Sequence, residues 1–197
     1  SLTAATVATI AGMGVTGALA YAGVLAQFDR RPPPMAIVIP LVFVVPLAIG
    51  VSPLGRTLAT APLVLLVGLQ MFRLPLELVM HHAGELGIMP PELSFGGYNF
   101  DVATGAGALL IWLAMRVSTV PRAVVWLWNV WGICCLLAIA VIARVSSPMV
   151  RAFGDDPRHV NSWVMYFPYI WLPTVLVVIA VAGHVVITRA LLTRSHG

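Results

Sequence analysis

The chain has 197 residues, 60% of them hydrophobic and only 9% charged, with a formal net charge of +4. Soluble domains carry about 25% charged residues, so this composition cannot cover a water-facing surface, and most of the surface must meet lipid. The positive charge comes from arginines scattered between apolar runs, with no lysine, which argues against a nucleic-acid partner and excludes Schiff-base chemistry on lysine, retinal attachment included.

A membrane helix needs about 20 mostly apolar residues, because a rise of about 1.5 Å per residue must cover roughly 30 Å of hydrocarbon. Six stretches meet that need, so the expected fold is an all-α, polytopic membrane helix bundle of about six transmembrane helices. It forms a single integral membrane domain over residues 1–197. The first span, near 3–27, lacks a basic leader and is too long for a signal segment, so it reads as a true span. Its small residues suit close packing within the chain or between chains, and "DRRPPP" ends it, since proline cannot continue a helix.

The second span, near 35–54, contains Pro40 and Pro46, and the third, near 58–86, is entered through Pro62. The Gly- and Pro-rich loop "GIMPPELSFGGYNFD" follows, then a fourth span near 102–118. The fifth, near 121–144, holds "WLWNVWG", whose Asn129 can hydrogen-bond across helices. It also holds adjacent Cys134 and Cys135, which read as two small buried side chains because neighbours rarely have disulfide geometry. A second loop, "VSSPMVRAFGDDPRHVNS", leads into a sixth span near 163–192. A β-barrel would show period-two alternation over about ten residues; these continuously apolar runs are better satisfied as helices.

Six spans place the first, third and fifth connections on one face. Every acid except the embedded Glu77 then falls on that face, as do His81, His82 and His159, while Arg56, Arg116, Arg122, Arg189 and Arg194 mark the other. Arginine divides evenly between the faces, so the positive-inside rule gives a tie. The basic tail "TRALLTRSHG" and the short "MRVSTVPR" connection favour cytoplasmic termini in a bacterial inner (plasma) membrane.

The polar chemistry gathers on the third span. Arg73, Glu77, His81 and Glu85 are spaced by four, and His82 adjoins them; on a helix that spacing forms one stripe. Charge at mid-membrane is costly and marks a functional site by default. Arg73 and Glu77 can pair one turn apart, and Pro75 between them distorts the helix. The loop beyond, with Asn99 and Asp101, suits a lid over the stripe, joined from the next acid-bearing loop by His159. Asp101 also suits the N-cap of the fourth span, with Thr104 at capping-box distance.

A divalent metal would draw on His81, His82, Glu85 and His159, although "HHAGE" matches no standard metal motif. Haem ligation would use an intramembrane histidine such as His184. Residues 72–105, "FRLPLELVMHHAGELGIMPPELSFGGYNFDVATG", with an Arg–Glu–His helix, a Pro-rich loop and an "NFD" turn, resemble an uncharacterised family of bacterial multi-pass membrane proteins. That resemblance implies no activity.

Three functional readings follow. The first is a small permease or channel-like protein with its polar site at Arg73, Glu77 and His81. The second is a membrane-embedded metal- or acid/base-dependent enzyme acting on a lipid or quinone. The third is a non-catalytic subunit or assembly factor of a membrane complex. Expected partners are the lipid bilayer and either further copies of the chain or a membrane complex.

Overall fold

Long apolar runs punctuated by proline give helices with sharp ends, and the computed structural model describes residues 2–193 in those terms; Arg194 of the basic tail lies outside them. Among the described residues every regular element is helical. The α-helices are α1 (Leu2–Tyr21), α2 (Pro34–Val51), α3 (Pro53–Ala59), α4 (Leu63–Gly68), α5 (Arg73–Glu85), α6 (Asp101–Val117), α7 (Arg122–Val145) and α8 (Val178–Thr193). Proline occupies the first turn of α2 and of α3, where its missing N–H has no intrahelical partner to lose.

Five stretches are long and apolar enough to cross a bilayer: Thr3–Tyr21, Pro34–Val51, Leu63–Glu85, Arg122–Val145 and Leu172–Thr193. The chain is a multi-pass integral membrane protein. The sixth expected span, 102–118, is α6, whose 17 residues cover about 25 Å, short of the roughly 30 Å hydrocarbon core. It stands apart from the five on length.

Two expected spans are also revised at their starts. The stretch from 58 breaks after α3, because Pro62 cannot donate to the preceding turn, and helix resumes at Leu63. The stretch from 163 opens as a 3-10 turn at Trp163–Met165, and continuous helix begins only at Leu172, after Pro168. Pro173 sits in a π-helical turn, Leu172–Val177, that leads into α8. Pro75 has a similar local effect. It cannot bond the Met71 carbonyl, and the four residues Leu69–Phe72 tighten into a 3-10 turn between α4 and α5.

The connections sort to two ends. At one end His159 Nδ1 lies 2.5 Å from Glu92 Oε1, and Tyr98 stacks on Phe153 with centroids 5.8 Å apart. Leu25 of the first connection packs in the same apolar cluster as Met89 and Trp163. At the opposite end Arg189 Nη1 donates to the carbonyls of Gly50 (2.9 Å) and Ser52 (3.1 Å), and Arg122 donates to the Leu191 carbonyl. Helix α6 runs between these ends, antiparallel to α4–α5, since Gly105 lies on Leu74 while Trp112 lies on Gly68.

Two apolar clusters fill the interior, one at each end. Val67, Ile111, Val125 and Ile187 belong to the first, and Met80, Leu93, Trp163 and Ile170 to the second. Between them lies a layer of buried polar groups: Gln70, Arg73, Glu77, Asp101, Thr104, Asn129 and His184. Glycine makes that layer possible at two crossings. A Cβ on Gly105 would collide with the Leu74 backbone, and one on Gly132 would collide with the His184 ring. Of the two cysteines expected to be buried, Cys135 is, while Cys134 is exposed on the outer face of α7.

Candidate functional site

Arg73, 1% exposed, enters the interior from the first turn of α5. Its Nε donates to Asp101 Oδ2 at 2.7 Å, its Nη2 donates to the same oxygen, and its Nη1 lies 2.7 Å from His184 Nε2. A guanidinium only donates, so His184 Nε2 accepts and the ring proton sits on Nδ1. That proton then points at Asn129 Oδ1, 2.9 Å away. Asn129 Nδ2 donates onward to Thr188 Oγ1 at 2.8 Å, and Thr188 Oγ1 donates to the His184 carbonyl at 2.9 Å. One network therefore ties α5, α6, α7 and α8 together with donors and acceptors in consistent order.

This arrangement corrects the expected Arg73–Glu77 pair. Arg73 reaches across to α6 and α8 instead of down its own helix, and Glu77 has a different partner. Asn99 Nδ2 donates to Glu77 Oε2 at 2.8 Å and to the Leu93 carbonyl at 3.1 Å, while Asn99 Oδ1 accepts from Asp101 N at 3.1 Å. The same contacts correct the role expected of Asp101. Phe100 holds the N-cap position without a side-chain bond, and the Asp101 carboxylate is committed to Arg73. From the same loop Asn99 reaches Glu77, and Phe95 stacks on His81 with centroids 4.0 Å apart.

A cavity of about 40 Å³ opens inside the bundle beside this network, with Arg73, Glu77, Asn99 and Asp101 in its wall and Leu136 and Leu176 opposite. One guanidinium faces two carboxyls there, and its hydrogen bonds go to only one of them. Glu77, 3% exposed, keeps a single side-chain hydrogen bond. Buried charge is tolerated when paired, and Glu77 has no hydrogen bond from a cationic side chain among the described residues. Gln70 Oε1 and Asp101 Oδ1 are buried without a protein hydrogen-bond partner, leaving acceptors in the same layer.

The remaining stripe residues sit nearer the acid-bearing end and do not join this cluster. His81 Nδ1 lies 3.5 Å from Ser94 Oγ and its Nε2 lies 3.6 Å from Glu85 Oε1. His82 and Glu85 are both exposed, with His82 Nδ1 3.4 Å from Glu85 Oε2. His159 is engaged with Glu92 on the other side of the loop. Among the described residues no three His, Cys, Asp or Glu side chains converge as metal ligands. The set His81, His82, Glu85 and His159 is therefore not gathered: His81 and His82 both approach Glu85 from one helix, and His159 is held by Glu92. Both ring nitrogens of His184 are likewise engaged within the network, which leaves neither for haem.

His159 owes its position to a capped turn. Asp156 Oδ1 accepts from Arg158 N at 3.0 Å, and Arg158 Nη2 donates to Asp156 Oδ2 at 2.8 Å, closing the turn Pro157–His159. Hydrogen bonds from the Arg158 side chain, then from its backbone, lower the Asp156 carboxyl to about 2, against an ordinary value of about 3.9. A depressed carboxyl contributes above the ordinary value and loses its contribution as pH falls through the folded one. Carboxyl-carbon NMR is expected to show Asp156 titrating near 2 and moving up toward about 3.9 in Arg158→Gln. An ordinary midpoint in the wild type would show that the turn is uncapped in solution.

The stripe reading reaches Arg73 and Glu77 and the haem reading reaches His184, while Gln70 and Thr188 are passed over. For Gln70 the available signal is its place as a polar residue at the end of a long apolar run. No family model, no curated protein and no solved structure matches the chain.

Proposed function

We propose that this protein is a small permease of a bacterial inner membrane that moves protons through the interior of its bundle, with Glu77 as the exchanging group. The observation that supports this is the buried Glu77 carboxyl beside a cavity, where the only guanidinium in the wall is hydrogen-bonded to Asp101 instead. In this reading α6 makes a sixth crossing. It lies antiparallel to α4–α5, and the four residues 118–121 return the chain directly to α7. Both termini are cytoplasmic.

Glu77 takes up a proton from the cavity while Asn99 holds one of its oxygens. His81, one turn along α5 toward the acid-bearing face, relays it, since imidazole changes charge near neutrality. Arg73 keeps its charge throughout and fixes Asp101 as the permanent anion. The network joining α5, α6, α7 and α8 also favours a second reading, in which these groups serve only to set helix register in a membrane complex.

Proton uptake into liposomes carrying the purified chain, driven by a potassium diffusion potential, separates the two. Glu77→Gln keeps the hydrogen-bonding shape and is expected to slow uptake about tenfold or more while the melting curve stays close to wild type. His81→Ala is expected to give a smaller loss. Uptake no faster than in protein-free liposomes, or Glu77→Gln working at the wild-type rate, would leave the packing reading in place.

A further inference from the structure

A second cavity, of about 100 Å³, lies between α2, α5, α7 and the Leu172–Val177 turn. Its wall is almost wholly apolar, with Ile39, Val42, Met80 and Ala140 along its depth. Met80, Ile139, Leu172 and Val177 form the partition between it and the cavity at Glu77. A wholly apolar wall would imply packing slack or a lipid tail with no preference for its head. One end of this cavity is different.

Asn161 and Trp163 line that end and are buried, 4% and 9% exposed, yet Asn161 Oδ1 and Trp163 Nε1 have no hydrogen-bond partner. Asn161 Nδ2 donates to the Ala143 carbonyl at 3.2 Å, which fixes Oδ1 as the free end of the amide. Orphaned buried polar atoms cost free energy and call for a partner. Here the orphans are one acceptor and one donor. Arg144, the third polar residue of the wall, is exposed and donates only to Ser147 Oγ at 3.2 Å, with no carboxylate in ion-pair range among the described residues. At the end of α7, which houses the Arg122–Val145 span, it sits where headgroups lie.

We infer that this cavity binds one glycerophospholipid with an anionic, hydroxyl-bearing head. The phosphate meets Arg144, a head hydroxyl donates to Asn161 Oδ1, Trp163 Nε1–H donates to a phosphate or ester oxygen, and part of one acyl chain fills the apolar depth. A zwitterionic choline head offers no hydroxyl to Asn161 and sets a cation against Arg144. The site does not depend on the role of Glu77.

Native mass spectrometry of the full chain, released from detergent after incubation with equal amounts of dioleoyl phosphatidylglycerol and dioleoyl phosphatidylcholine, tests this. One phosphatidylglycerol is expected to be retained about tenfold over phosphatidylcholine, and glycerol 3-phosphate, which lacks the chain, is not retained. Asn161→Leu and Arg144→Gln are each expected to cut retention about fivefold, the worth of one hydrogen bond. Ala140→Phe, which fills the cavity, abolishes it. Arg144 is exposed, so Arg144→Gln reports binding even if the buried variants fail to fold. Equal retention of the two lipids, or unchanged enrichment in Arg144→Gln, overturns the inference.

Discussion

Arg73→Ala is expected to lower the stability of the bundle by about 3–5 kcal/mol, because it strands the Asp101 carboxylate in the interior without its partner. Asp101 is 5% exposed, and its Oδ2 accepts from Arg73 at two nitrogens. The loss also removes the donor to His184 Nε2. Reversible unfolding in mixed detergent micelles measures the effect. The paired change Arg73→Met with Asp101→Leu is expected to recover most of it, since replacing both members of a buried ion pair with apolar side chains is often neutral or stabilising. The recovery is incomplete, because His184 then lacks one partner, worth about 1–3 kcal/mol. An Arg73→Ala variant within about 0.5 kcal/mol of wild type would show that Asp101 is solvated or paired elsewhere. In the proton-permease reading Arg73 fixes Asp101 as the permanent anion beside Glu77, so the double variant is expected to regain stability without regaining proton uptake.

The membrane-spanning character of the chain was legible because apolar runs and prolines act locally. Pro62 marks a helix entry in the sequence and in the structure, and the structure adds Pro34 and Pro53 as helix starts. The revised starts of the third and sixth stretches come from the same residue type, whose missing N–H reshapes the turn before it, as at Leu69–Phe72. Arg73 and Glu77 stood out because ionisable groups at mid-span are rare. Their partners did not. The i,i+4 rule offers Arg73 its neighbour Glu77, while the contacts made are 28 and 111 residues away in the chain. Asp101 looked like a helix cap for the same reason: capping is local and ion pairing across helices is not. Nor did sequence reveal that Gly105 and Gly132 open the space in which Arg73 and His184 meet. Of the four residues proposed for a metal, His81, His82 and Glu85 stay close because they share one helix, while His159 comes from another loop and meets Glu92.

His184→Leu is expected to destabilise the bundle by about 1–3 kcal/mol, the cost of leaving buried polar groups unsatisfied, even though leucine suits a membrane helix. The histidine is fully buried and is the only link in the network between Arg73 and Asn129. Removing it leaves Arg73 Nη1 without an acceptor and Asn129 Oδ1 without a donor. Asn129→Leu removes a different part of the same chain, including the bond to Thr188. If the four helices are held by one connected network, the double variant costs less than the two single changes added, with a coupling of about 0.5–2 kcal/mol. Additivity within about 0.3 kcal/mol would mean that the two residues act independently. The ring itself gives a second test. Because Arg73 can only donate, ¹⁵N NMR of labelled histidine is expected to find His184 protonated at Nδ1, with Nε2 as the acceptor nitrogen. In Arg73→Met that constraint is gone while the bond to Asn129 Oδ1 remains, so the Nδ1–H form persists and the Nε2 resonance moves toward that of a free imidazole nitrogen. An Nε2–H form in the wild type would require Arg73 Nη1 to point elsewhere. The link from the ion pair on α5 and α6 to the amide on α7 would then be broken at its central atom.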